Sequence, residues 1–91
     1  MSSQVPDPVE IEQEIARFVV SEFYWEEGNA PKADTLLFKS RVIDSLGVVR
    51  LIGFLVDHFQ ISLEPDDVVL ENLESISKIR DLVVTCMNRK H

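Results

Sequence analysis

Cysteine is nearly missing from this chain. Cys86 stands alone, so no internal disulfide can form, and a reducing compartment is the simplest setting. Its neighbours Val83, Val84 and Met87 mark it as a core helix position, where a free thiol behaves as a small hydrophobe. Three glycines and four prolines are too few for a loop-rich all-β protein. Nine basic residues face 16 acidic ones, and the net charge of −7 argues against nucleic acid, whose phosphates demand a basic face. A basic protein surface is the more natural counterpart. No apolar run is long enough to span a bilayer, so no membrane partner is expected. Residues 1–8 have neither the basic start nor the apolar middle of a signal peptide. With the lone cysteine, this makes the cytoplasm the expected location.

What the chain does have is helical periodicity. Its 91 residues suit one domain, and a hydrophobic content of 45% is enough for a core. Residues 1–8 read as a flexible lead-in, 9–88 as the domain, and 89–91 as a fraying end. A first helix is predicted from Val9 to Trp25, with Ile11, Ile15, Phe18, Val19 and Phe23 inward and Tyr24 and Trp25 closing one end. Residues 26–44 form a long connection that Leu36, Leu37, Phe38, Val42 and Ile43 can pin to the core, with a helical turn at Asp34-Thr35. A second helix runs from Ser45 to His58 or Phe59 and is apolar around most of its circumference. Residues 60–65 are an extended linker, and a short helix is expected from Asp66 to about Leu70. Asn72 to Ser75 is then a break, with Ser75 as N-cap of a last helix from Ile76 to Asn88. Ile76, Ile79, Leu82, Val83 and Cys86 point inward on that helix. The expected fold class is therefore all-α.

Charge is unevenly spread. Between Asp57 and Ser77 there are six acids and no Lys or Arg, whereas Lys78 to His91 carries four basic residues and one acid. A solvated acidic face and a basic helix end, which suits the helix dipole, account for this without a ligand. Asp66, Asp67 and Glu71 lack the glycine-centred spacing of a calcium loop, and no metal site is expected.

The candidate functional residues are Asp44, Ser45 and Leu46. A hydroxyl stands at the first turn of an apolar helix beside a carboxylate, where free N–H groups and the helix dipole favour a phosphate. A nucleophilic serine would need a base within hydrogen-bond reach. His58 is at the other end of the same helix, and thirteen residues of helix span about 20 Å. No Ser-His pair can form from these two, no catalytic residue is assigned, and the chain is not expected to be an enzyme.

From residue 36 to residue 83 the chain resembles the acyl carrier protein family, which includes peptidyl and aminoacyl carriers. The resemblance is carried by Leu36-Leu37, Val42-Ile43, Asp44-Ser45-Leu46, Val49, Leu51-Ile52, Leu55, Phe59, the run Ile61-Ser62-Leu63-Glu64-Pro65-Asp66-Asp67 and Ser75-Ile76. It implies a four-helix bundle with a long first loop and a short third helix. It implies that Ser45 is the attachment site for 4′-phosphopantetheine, that Asp44 assists the transferase, through the metal that accompanies coenzyme A, and that Leu46 is an apolar contact beside the arm. The implied partners are a phosphopantetheinyl transferase, an adenylating or acyl-loading ligase and downstream transferring enzymes, and the family precedent is a monomer.

Departures narrow the type. Arg50 stands where fatty-acid carriers commonly have Glu, Val56 and His58 replace acids, and only Asp57 is acidic within helix two. Steering by helix charge is then weak or altered, and Val48, Leu51 or Phe54 either meet a partner or pack on the long loop. The runs Ile43-Asp-Ser-Leu-Gly-Val-Val-Arg-Leu and Glu71-Asn-Leu-Glu-Ser-Ile76 look like stand-alone carriers for aminoacyl or specialised acyl groups. A fatty-acyl or polyketide carrier, and a non-covalent helical adaptor on the same fold, are the alternatives.

Overall fold

A computed structural model describes residues 7–23, 31–38 and 44–89. Among these residues every regular element is helical: α1 (Pro8–Glu22), α2 (Ser45–Phe59), a 3₁₀ turn (Pro65–Asp67), α3 (Leu70–Leu73) and α4 (Ile76–Arg89). The result is a small helical bundle. The linker after α2 starts with Gln60 in the left-handed region (φ 55°, ψ 45°), and residues 61–64 form no strand.

α1 starts one residue earlier than its sequence pattern suggests. Asp7 is the N-cap, its Oδ1 accepting from the Val9 N–H at 2.8 Å, and Pro8 occupies the first helical position, where no N–H is needed. The helix stops at Glu22 rather than Trp25, because Phe23 turns to extended backbone (φ −118°, ψ 152°). Tyr24 and Trp25 lie outside the described residues.

Ile11, Ile15 and Val19 of α1 meet Leu51 and Leu55 of α2, and Ile76, Ile79, Leu82, Val83 and Cys86 of α4, in one buried core. α1 and α4 are also linked across their rim, where Arg80 donates to Glu12 at 2.6 Å while touching Asp81 at 2.8 Å. The half-exposed pair is worth at most about 1 kcal/mol. The α1–α2 contact also includes an aromatic stack. Phe18 stacks on Phe54 with centroids 4.1 Å apart, and Phe54 stacks on His58 at 4.9 Å. His58 Nε2 lies 3.1 Å from Glu14 Oε1.

The expected helical turn at Asp34-Thr35 is a tight hydrogen-bonded turn instead. The Lys32 N–H donates to Thr35 Oγ1 at 2.8 Å, and the Thr35 N–H returns to the Lys32 carbonyl at 3.1 Å. Two backbone bonds then tie this segment to the α3–α4 junction. The Leu37 N–H donates to the Glu74 carbonyl at 2.8 Å, and the Ser77 N–H donates to the Ala33 carbonyl at 2.9 Å. The second bond satisfies a first-turn amide of α4 that no residue of its own helix can reach. Ser75 caps the next one, its Oγ accepting from Lys78 at 3.2 Å. Leu37 is wholly buried, as the pinning role required. Val42 and Ile43 lie outside the described residues.

The short third helix lies later than Asp66–Leu70. Pro65 opens a single 3₁₀ turn that Val68 ends, and α3 itself occupies Leu70–Leu73, inside the expected break. Asp67 explains this shift. Its Oδ2 accepts from the Glu64 N–H at 2.9 Å, closing the turn on itself, and also from Arg89 Nη2 at 2.6 Å. That second contact corrects the expected fraying at Arg89, which is helical because its side chain is held.

The Arg89 guanidinium and the Glu64 N–H together hold the Asp67 carboxyl below its ordinary value. A depressed carboxylate contributes stability that is full above its unfolded value, about 3.9, and is lost as the pH falls through the lower folded value. Acidification below about pH 4 should therefore lower amide protection across residues 64–72 before it affects α1 and the first turns of α4. NMR hydrogen exchange checks this, and Arg89→Ala should produce the same local loss at neutral pH.

Candidate functional site

α2 is entered through Asp44, whose extended backbone (φ −106°, ψ −168°) places it as N-cap. Asp44 Oδ1 accepts from the Gly47 N–H at 2.9 Å, and the Asp44 carbonyl accepts from Val48 at 2.9 Å. Among the described residues none accepts from the amides of Ser45 or Leu46. Ser45 is the first residue of the helix and is exposed. Leu46 is 75% exposed and Val49 67%, so apolar surface stands beside the hydroxyl with no core contact to explain it.

The three sequence-selected residues are thus adjacent, and all three are exposed. Gly47 is buried and its N–H is engaged by the cap, so its backbone is covered by the protein. Of Val48, Leu51 and Phe54, none is among the prominently exposed residues: Leu51 is fully buried, and Val48 and Phe54 pack half-buried against the core. The outward apolar residues of α2 are Leu46, Val49 and Val56. Their spacing with Gly53 (46, 49, 53, 56) puts them on the side opposite Gly47, Leu51, Leu55 and Phe59. Sequence periodicity did not separate these faces, because both are apolar.

Gly53 itself is exposed and helical, and a Cβ built there meets nothing within 4 Å. Neither packing nor backbone conformation requires glycine. Gly53→Ala should therefore stabilise the monomer by about 1 kcal/mol through helix propensity, read as a higher midpoint in urea with an unchanged slope.

The remaining polar chemistry is structural. His58 is held by Glu14 and Phe54 at the far end of α2 from Ser45. Cys86 is 2% exposed; burial pushes its thiol up, against the opposing effect of Arg89, whose Nη2 lies 3.1 Å from Sγ. It is not a competing nucleophile. Asp67 is committed to Arg89, and among the described residues no group of three or more His, Cys, Asp or Glu side chains could hold a metal ion. A shallow groove of about 470 Å³ along α1, lined by Gln13, Ala16, Arg17, Val20 and Ser21, includes none of Asp44, Ser45 and Leu46. No helix among the described residues is long and apolar enough to cross a membrane.

An attached phosphodiester fits what is present. The hydroxyl is accessible, the helix start presents partial positive charge, and Leu46 and Val49 offer apolar surface to an arm. Comparison with protein-family models and with curated proteins finds no match to this chain.

Proposed function

We propose that this protein is a carrier in which Ser45 bears 4′-phosphopantetheine. The observation that supports this most directly is an exposed hydroxyl at the first turn of α2, next to the capping carboxylate of Asp44 and beside the water-facing Leu46 and Val49. The Asp-Ser-Leu run and its flanking spacing supply the family resemblance. When bound, the group supplies a flexible arm ending in a thiol that holds a cargo as a thioester.

The chain's own residues do the rest. Asp44 orders the helix start and keeps a carboxylate beside the modified oxygen, where it can assist a transferase that brings coenzyme A with its metal ion. Ser45 Oγ is the attachment atom, and Leu46 lies alongside the arm. Among the described residues no histidine lies near Ser45, which suits an acceptor of modification, because the transferase provides the deprotonation. The favoured cargo is an aminoacyl or specialised acyl group delivered by an adenylating ligase, since Arg50, Val56 and His58 replace the acidic side chains common in fatty-acyl carriers.

Incubation with coenzyme A and a promiscuous phosphopantetheinyl transferase should add one phosphopantetheine mass to the intact protein. A chain that stays unmodified while a control carrier is labelled would overturn the proposal. The outward stripe on α2 also favours a second reading, a non-covalent adaptor. In that case Ser45→Ala would leave partner binding and cell function unchanged.

A further inference from the structure

The outward side of α2 has a pattern that its own fold does not use. Gly53 lies mid-helix with open space where a side chain would be. Val49 and Val56 lie on one flank of Gly53, and Arg50 and Asp57 on the other, all exposed. A glycine on a solvent-facing helix side invites close approach of a second backbone. The residues around it then show which backbone fits.

When two copies of a helix pack antiparallel about a two-fold axis, each flank meets the same flank of the partner in reverse order. With that axis beside Gly53, Val49 faces Val56 of the other copy and Val56 faces its Val49. On the opposite flank Arg50 faces Asp57 of the other copy, twice over. The two glycines meet at the crossing, where side chains would hold the helices apart. A parallel two-fold pairing would instead set each flank against the other one, Arg50 against Val49 and Asp57 against Val56 of the second copy, and leave both charges without a partner. Arg50 touches Glu22 of its own chain at 3.4 Å through one nitrogen, and a guanidinium has further donors to offer.

We infer that the outward side of α2 is a self-association surface, and that its occupant is a second copy of this chain packed antiparallel with the crossing at Gly53. One helix side is a small contact, at the low end of the range for specific interfaces, so the dimer is weak and forms at high protein concentration. The monomer of the family precedent is then one partner in an equilibrium. Val49 is shared with the surface assigned to the arm on Ser45, so the unmodified chain is used and the test does not depend on that proposal.

Sedimentation equilibrium of the full chain from micromolar to millimolar concentration, at fixed ionic strength, is the measurement. Wild type should show a concentration-dependent monomer–dimer equilibrium. Gly53→Gln should weaken it about tenfold or more, while circular dichroism confirms retained helix. Arg50→Asp and Asp57→Arg should each weaken it several-fold, and the double reversal should restore it, because the swapped charges again face each other. A wild-type chain that stays monomeric to millimolar concentration overturns the inference, leaving the surface to a different partner. A dimer indifferent to Gly53→Gln, or a double reversal no better than the single ones, overturns the assigned interface.

Discussion

Ser45→Ala should abolish the gain of phosphopantetheine mass that the proposed carrier role requires, while leaving the helical spectrum and thermal midpoint close to those of wild type. The oxygen that would accept the group is removed, and no second hydroxyl stands at the start of α2. The fold should not suffer, because the cap is Asp44 rather than Ser45 and the lost side chain is exposed. Intact-mass spectrometry after transferase treatment reads the first result, and calorimetry the second. Asp44→Asn separates the two roles of its neighbour. Asn caps a helix about as well as Asp, so stability should be retained, while loss of the carboxylate should slow modification. If Asp44→Asn is modified at the wild-type rate, Asp44 is a cap and nothing more.

Leu37→Ala is expected to destabilise the protein by about 2–5 kcal/mol, a large share of the roughly 5–15 kcal/mol that holds a small domain together. Few loop residues would do this. Leu37 is wholly buried, and its own N–H is bonded to the Glu74 carbonyl, so the backbone cannot easily shift to fill the gap. Urea denaturation with constant slope measures the loss. The neighbour Leu36, 45% exposed, is the control, and Leu36→Ala should change stability little. Equal effects at the two positions would show that the 31–38 segment is not anchored as described.

These positions also show how far the sequence could be read. α1 and α4 were legible because their apolar residues recur at helical spacing on one side only, and Ile11, Ile15, Val19, Ile76, Ile79, Leu82, Val83 and Cys86 are all buried. α2 was legible as a helix but not in orientation, since Leu46, Val49 and Val56 look no different from Leu51 and Leu55 until packing separates them. The placement of α3 was missed because it depends on Asp67 reaching Arg89, a contact 22 positions apart that no local pattern reveals. Residue type and position allowed a cap at either Asp44 or Ser45, and the Gly47 N–H bond assigns it to Asp44. What an arm at Ser45 would carry was not legible, because no side chain near the helix start distinguishes one cargo from another.

The bonds from Ala33 and Leu37 to the α3–α4 junction also shorten the leash on Ser45. Measured from the last residue of α1, the helix start hangs on a span of more than twenty residues. Measured from Phe38, only five residues intervene before Asp44, and six peptide steps reach about 20 Å at most. Extra residues before Pro31 lengthen a span that the pin has already isolated. Extra residues after Phe38 lengthen only the stretch between the pin and the start of α2, which Gly47 and Leu51 already hold in place, so added length there raises the entropy of that connection without freeing the helix.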